Sequence, residues 1–119
     1  MTTDLLTILK GFCRLELVLG ALILDDHGLV VEEAFNGDHS SQDIRDFVMR
    51  LTQVGQGLAE DLKKSPVTQQ YVEFEQVQMT AEQLSNGYAL IIYAQTGANL
   101  GRVRLEIRKN RAAVEGLLA

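Results

Sequence analysis

The chain predicts an α/β (α+β) domain: a five-stranded antiparallel sheet in the order 2-1-5-4-3, with helices on both faces. Three observations carry this. Two apolar runs, Val18 to Leu24 and Leu29 to Phe35, flank Asp25-Asp26-His27-Gly28, and an Asp/Gly turn between such runs reads as a β-hairpin. A third run, Tyr88 to Ala94 (YALIIYA), is equally apolar, and strands without a polar face belong in the middle of a sheet covered on both sides. Of the remaining apolar residues, three segments follow helical spacing and 71–84 reads as two short strands, giving the order helix, two strands, helix, three strands, helix. Hairpin one–two and meander three–four–five, with strands one and five central, leave strands two and three as the edges.

Each element has a local reason. Over 4–14, Leu5, Leu9 and Phe12 recur at helical spacing beside Leu6 and Cys13, an amphipathic first helix. Strands follow at about 17–25 and 28–35, then the loop Asn36-Gly37-Asp38-His39. Ser40 reads as an N-cap, with Asp43 three residues on in a capping box. The long second helix, about 41–63, carries Ile44, Phe47, Val48, Leu51, Val54, Gly55, Leu58 and Leu62, which predicts a wide buried stripe. Pro66, the only proline, stands where a helix stop is expected. Residues 71–76 and 77–84 read as short strands, and Asn86-Gly87 as a tight turn into the strand 88–95. The loop 96–99 then caps a last helix, about 99–118, striped by Leu100, Val103, Ile107, Val114 and Leu118.

A length of 119 residues fits a single domain, 1–119, and 46% hydrophobic with 23% charged residues fits an ordinary globule. No apolar run approaches the ~20 residues of a membrane span. Met1-Thr2-Thr3-Asp4 lacks the basic start of a signal peptide, and a single cysteine fits a reducing compartment, so a cytoplasmic location is expected. The net charge of −5 argues against a general nucleic-acid binder. Five basic residues against Glu106 nevertheless give residues 102–111 a net +4, read first as a solvated helix face and second as a binding patch.

Candidate chemistry is sparse. Cys13 with His27 or His39 has the residue types of a nucleophile and base, yet Cys13 falls on the apolar side of its helix, where a thiol behaves as a small hydrophobe. Asp25 and Asp26 suit a turn better than a metal site, since neighbouring strand-end residues point apart. Gly97 to Arg102 (GANLGR) precedes a helix but lacks the Lys-Ser/Thr of a phosphate loop. No catalytic residue, metal or cofactor is expected. Gly55 and Gly57 lie inside a helix, where each costs about 1 kcal/mol against alanine. Close approach of another helix is one reason for them, and packing onto the chain's own sheet is the other.

The residues GALILDDHGLVV at 20–31, the long helix after Ser40, NGYALIIYA at 86–94 and ANLGRVRLEIRK at 98–109 together resemble the Roadblock / dynein light chain family. The resemblance covers about 5–118, and the short single-domain form is most similar to the bacterial MglB-type polarity and gliding regulators. It implies a Roadblock/profilin-like sandwich, dimerisation through edge strands and second helices, and a non-catalytic platform for a Ras-like small GTPase or a motor or cargo complex. The chain stops just after the last helix, without the tail of some GTPase-regulating members.

Two sets of residues follow. A homodimer is expected to use the edge strand, Tyr71, Val72, Glu73, Phe74 and Glu75, with Leu51, Gly55 and Leu58 of the second helix. Were Phe74 on the two-fold axis, Glu73 would face the partner's Glu75, so a shifted register or a basic neighbour is expected. The outward side of the same helix carries Arg45, Met49, Arg50, Gln53 and Gln56, the expected docking side chains for a GTPase. A light-chain-like scaffold that touches no GTPase is the alternative. A small-molecule sensor, as in other α/β sandwiches, ranks last.

Overall fold

The computed structural model describes residues 4–63 and 67–119, without the side chain of Asp43. Its elements are α1 (Leu5–Cys13), β1 (Val18–Leu24), β2 (Val30–Phe35), α2 (Arg45–Leu62), β3 (Gln69–Glu73), β4 (Val77–Gln83), β5 (Ala89–Gln95) and α3 (Leu100–Leu118). The sheet order is β2-β1-β5-β4-β3, and every pairing is antiparallel. The expected architecture is the observed one.

The central strands explain the two-faced core. In β1, Ala21 and Ile23 pack toward α1 and α3 with Ile8, Leu9, Phe12, Val103, Ile107 and Val114. Leu22 and Leu24 point the other way, toward Ile44 and Val48 at the start of α2. Strand β5 divides likewise, Leu90 and Ile92 to one side and Ile91 to the other. Period-two alternation of wholly apolar residues therefore builds both layers at once. Gly20 has a packing reason: a β-carbon there would lie 2.2 Å from a ring carbon of Phe35, its cross-strand partner.

Polar groups fix the ends of elements. Asp4 caps α1, its side chain accepting from the Thr7 N–H at 2.8 Å. Asp25 Oδ1 accepts from the N–H of His27 (2.8 Å) and Leu29 (2.9 Å), closing the β1–β2 turn in which Gly28 takes φ +80°. Those donors, that of Leu29 first, hold the Asp25 carboxyl below its ordinary range. At the β4–β5 connection Asn86 (φ 63°) and Gly87 (φ 81°) supply the left-handed residues that their dipeptide announced. Asn99 caps α3 through the Arg102 N–H at 3.0 Å.

The second helix departs from expectation at both ends and along its stripe. A 3₁₀ turn spans Ser41–Asp43, and α2 starts only at Arg45, with Ile44 in the cap position and no side-chain cap bond. The Ser40 capping box therefore does not start α2. At the other end α2 stops through Lys63 in the left-handed conformation, its N–H bonded to the Ala59 and Glu60 carbonyls; Pro66 lies outside the described residues. The stripe is buried only in part. Ile44 and Val48 are in the core, whereas Val54, Leu58 and Leu62 are 58%, 55% and 64% exposed. Strand β3 also sits earlier than read, ending at Glu73 so that Phe74 opens the turn into β4.

Candidate interaction surface

The free edge of β3 has a fixed phase. The Phe74 N–H donates to the Val77 carbonyl (2.7 Å), and the Gln83 N–H to the Thr68 carbonyl (2.9 Å). With Gln70 opposite Ala81 and Val72 opposite Met79, residues 68, 70, 72 and 74 turn their backbone groups toward β4. Alternate residues of an antiparallel strand point theirs the other way. Gln69, Tyr71 and Glu73 therefore present backbone donors and acceptors to the open edge. Such an edge is a template for another strand unless something covers it.

An apolar flank adjoins this edge. The Phe74 ring meets Phe47 of α2 edge-on, with centroids 5.2 Å apart. Phe47, Leu51, Val54, Leu58 and Leu62 recur every three or four residues, so they share one flank of α2. Val54, Leu58, Leu62 and the 45%-exposed Phe74 leave that flank largely in water. Contiguous exposed apolar surface rimmed by polar groups marks interaction sites in soluble proteins.

Gly55 plays the other of its two readings. It is buried, and a β-carbon there would lie 2.7 Å from the Gln70 amide nitrogen, which donates to the Leu51 carbonyl at 2.9 Å. The glycine thus lets α2 approach the chain's own edge strand. Gly57 has open space where its β-carbon would be. A groove of about 470 Å³ lies beside this contact, lined in part by Thr52, Gln56, Ala59, Gln70, Gln83 and Leu84.

No protein-family model matches the sequence, and no curated protein matches it. Solved structures do match the fold. A Roadblock/LC7 domain from Streptomyces avermitilis superposes with a TM-score of 0.85 at 19% identity, covering 98% of each chain. MglB from Myxococcus xanthus gives 0.82 at 14% identity, over 95% of this chain and 93% of that one. MglB in a tetrameric arrangement gives 0.80 at 18% identity, over 92% and 84%.

The chain has the Roadblock/LC7 fold.

Within this Roadblock/LC7 fold the expected residues fall into distinct places. Tyr71, Val72 and Glu73 lie on β3, and Phe74 and Glu75 on the turn after it. Tyr71 and Val72 are half-buried, and Glu73, Phe74 and Glu75 are exposed. Leu51 is half-buried and Leu58 exposed on the apolar flank. Arg45, Arg50, Gln53 and Gln56 are exposed on α2 as expected. Met49 is not free: it is half-buried over the β1–β2 turn, its sulfur 2.3 Å from where a β-carbon on Gly28 would be.

The chemical candidates take structural roles. Cys13 donates to the Ala34 carbonyl at 3.3 Å, and burial pushes its thiol above the ordinary value, which suppresses the nucleophilic thiolate. His27 pairs with Asp26 at 3.6 Å on the surface, and His39 stands edge-on to Tyr93 at 6.1 Å. Among the described residues no three His, Cys, Asp or Glu side chains are grouped to hold a metal ion, and no described helix is long and apolar enough to cross a membrane.

The basic helix is substantially paired. Arg102 and Lys109 each lie 3.8 Å from Glu106, and Arg111 bonds Glu82 (2.5 Å) and Glu115 (3.1 Å). Glu115 also accepts from the Ser85 hydroxyl and backbone N–H, which chiefly hold its carboxyl below the ordinary range. Arg104 instead reaches the edge strand, its Nε 2.9 Å from Gln69 Oε1. Sequence reading missed this contact because its partners are 35 residues apart and Gln69 fell outside the expected strand.

Proposed function

We propose that this chain is a member of the Roadblock / dynein light chain family and acts as a non-catalytic homodimeric adaptor that binds and regulates a Ras-like small GTPase. The observation that carries the dimer is the pairing of an open β3 edge with an exposed apolar flank on α2. Edge pairing extends the sheet, and the same two-fold axis brings the flanks of two α2 helices together. Burying Val54, Leu58 and Leu62 there is favourable at about 25 cal/mol per Å² of apolar surface removed from water.

The GTPase rests on the resemblance to MglB-type regulators and on the residues that the dimer leaves outward. Arg45, Arg50, Gln53 and Gln56 are exposed on α2; Arg45, Gln53 and Gln56 lie off its apolar flank, and Arg50, three residues after Phe47 and four before Val54, borders it. Met49, half-buried against the β1–β2 turn, offers its remaining surface beside them. An effect on hydrolysis would come from positioning the GTPase's own residues.

The experiment has two arms. Sedimentation at tens of micromolar reads the dimer. Pull-down of Ras-like GTPases, loaded with GDP or with a GTP analogue, reads the partner. Replacing Arg45, Arg50 and Gln53 together by alanine is expected to abolish capture with the dimer intact. Retained capture moves the docking surface elsewhere; a dimer that captures no GTPase in either state favours the light-chain-like scaffold.

A further inference from the structure

We infer that a second copy of this chain pairs along β3 with the two-fold axis through Tyr71, and that Arg104 bonds Glu73 of the partner subunit across that axis. The inference rests on the homodimer reading and deepens it, since that reading fixes neither register nor charge partner.

The ladder phase restricts the choices. Only Gln69, Tyr71 and Glu73 of β3 offer backbone groups to the open edge. A two-fold antiparallel pair must set these residues opposite one another, so the axis passes through a residue and successive registers differ by a whole residue in axis position. With Tyr71 on the axis, Tyr71 opposes its own copy, and Gln69 opposes the partner's Glu73. All three edge residues are then paired and the two strands overlap in full. Moving the axis to Gln70 or Val72 leaves part of the strand unpaired. An axis at Glu73 sets like carboxylates opposite each other, and an axis at Phe74 sets Glu73 against the partner's Glu75, both unfavourable.

Side chains favour the same register. Gln69, Tyr71 and Glu73 share the face covered by α3, as the Tyr71 hydroxyl to Gln78 contact (3.4 Å) and the Arg104 to Gln69 bond show. Glu73 and Arg104 both act on the Tyr71 hydroxyl, the carboxylate raising and the guanidinium lowering its pKa, after the larger effect of burial. Directly opposed residues stand about 5.5 Å apart at Cα. The partner's Glu73 thus arrives beside Gln69, whose neutral amide oxygen Arg104 already bonds. Symmetry makes the ion pair twice. On the α2 face the register opposes Val72 to the partner's Gln70, with no charge on either side.

Cysteine cross-linking in a Cys13→Ala background tests the register. A disulfide needs Cα atoms about 4.4–6.8 Å apart, which directly opposed residues satisfy and residues displaced by several positions do not. Tyr71→Cys is expected to oxidise to a covalent dimer while Phe74→Cys stays monomeric on a non-reducing gel. Arg104→Glu is expected to weaken the dimer by about tenfold or more in sedimentation. Adding Glu73→Arg should restore it. Cross-linking at Phe74 but not Tyr71 overturns the register and leaves the homodimer standing, as does a sedimenting dimer that links at neither site. An Arg104→Glu dimer of unchanged affinity overturns the ion pair. A monomeric parent chain overturns the homodimer itself.

Discussion

Gln70 occupies the space that a side chain on Gly55 would need, and from there its amide donates to the Leu51 carbonyl at 2.9 Å. One glycine thereby lets an edge strand reach the backbone of the helix above it. Gly55→Leu is expected to displace Gln70 and lower stability by about 1–3 kcal/mol through overpacking. Gly57→Ala, facing open space in the same helix, should raise stability by up to about 1 kcal/mol. Urea unfolding monitored by circular dichroism checks both; equal effects at the two sites would refute the contact.

Gly20 and Phe35 form a second such pair. Gly20→Val should push the Phe35 ring off β1 and cost about 1–3 kcal/mol. Because the clash is with that ring, Phe35→Ala should absorb part of the loss. A double-mutant cycle that comes out additive would show the two sites to be independent.

The apolar flank of α2 separates folding from association. Val54 and Leu58 are exposed in the protomer, so Val54→Asp with Leu58→Asp should leave the circular dichroism spectrum unchanged. The same variant should sediment as a monomer at concentrations where the parent chain dimerises. A variant that unfolds instead would assign these residues to the core.

Acid should act through three capped carboxylates. Asp4, Asp25 and Glu115 all have lowered pKa values: Thr7 donors hold Asp4, the Leu29 N–H first holds Asp25, and the Ser85 hydroxyl first holds Glu115. A folded pKa below the unfolded one adds stability that is present above the unfolded value, about pH 4, and is lost as pH falls through the folded value. Carboxyl-carbon NMR titration should show these three titrating below ordinary Asp and Glu. Asp25→Ala should loosen the β1–β2 turn and flatten its share of the acid limb. Cys13 shifts the other way: its raised pKa means stability lost as pH rises through the folded value, and labelling by a thiol reagent slower than in the urea-unfolded chain.

The sequence by itself determined the layered sheet. Unbroken apolar runs at Val18–Leu24 and 88–94 can lie only in the centre, and the turn residues Asp25, Gly28, Asn86 and Gly87 fix where the chain reverses. These are local signals, since period and turn chemistry act within a few residues. The tertiary structure alone decided which apolar residues of α2 meet the core. Val48 and Leu58 belong to one helical stripe in the sequence, yet one is buried and the other 55% exposed. Periodicity states that residues share a side, not how far a sheet extends beneath them. Likewise Gly55 against Gln70, Phe47 against Phe74 and Arg104 against Gln69 join residues 15 to 35 positions apart. Those contacts exist because β3 returns to the sheet edge beside both α2 and α3, a placement set by the pairing of all five strands together.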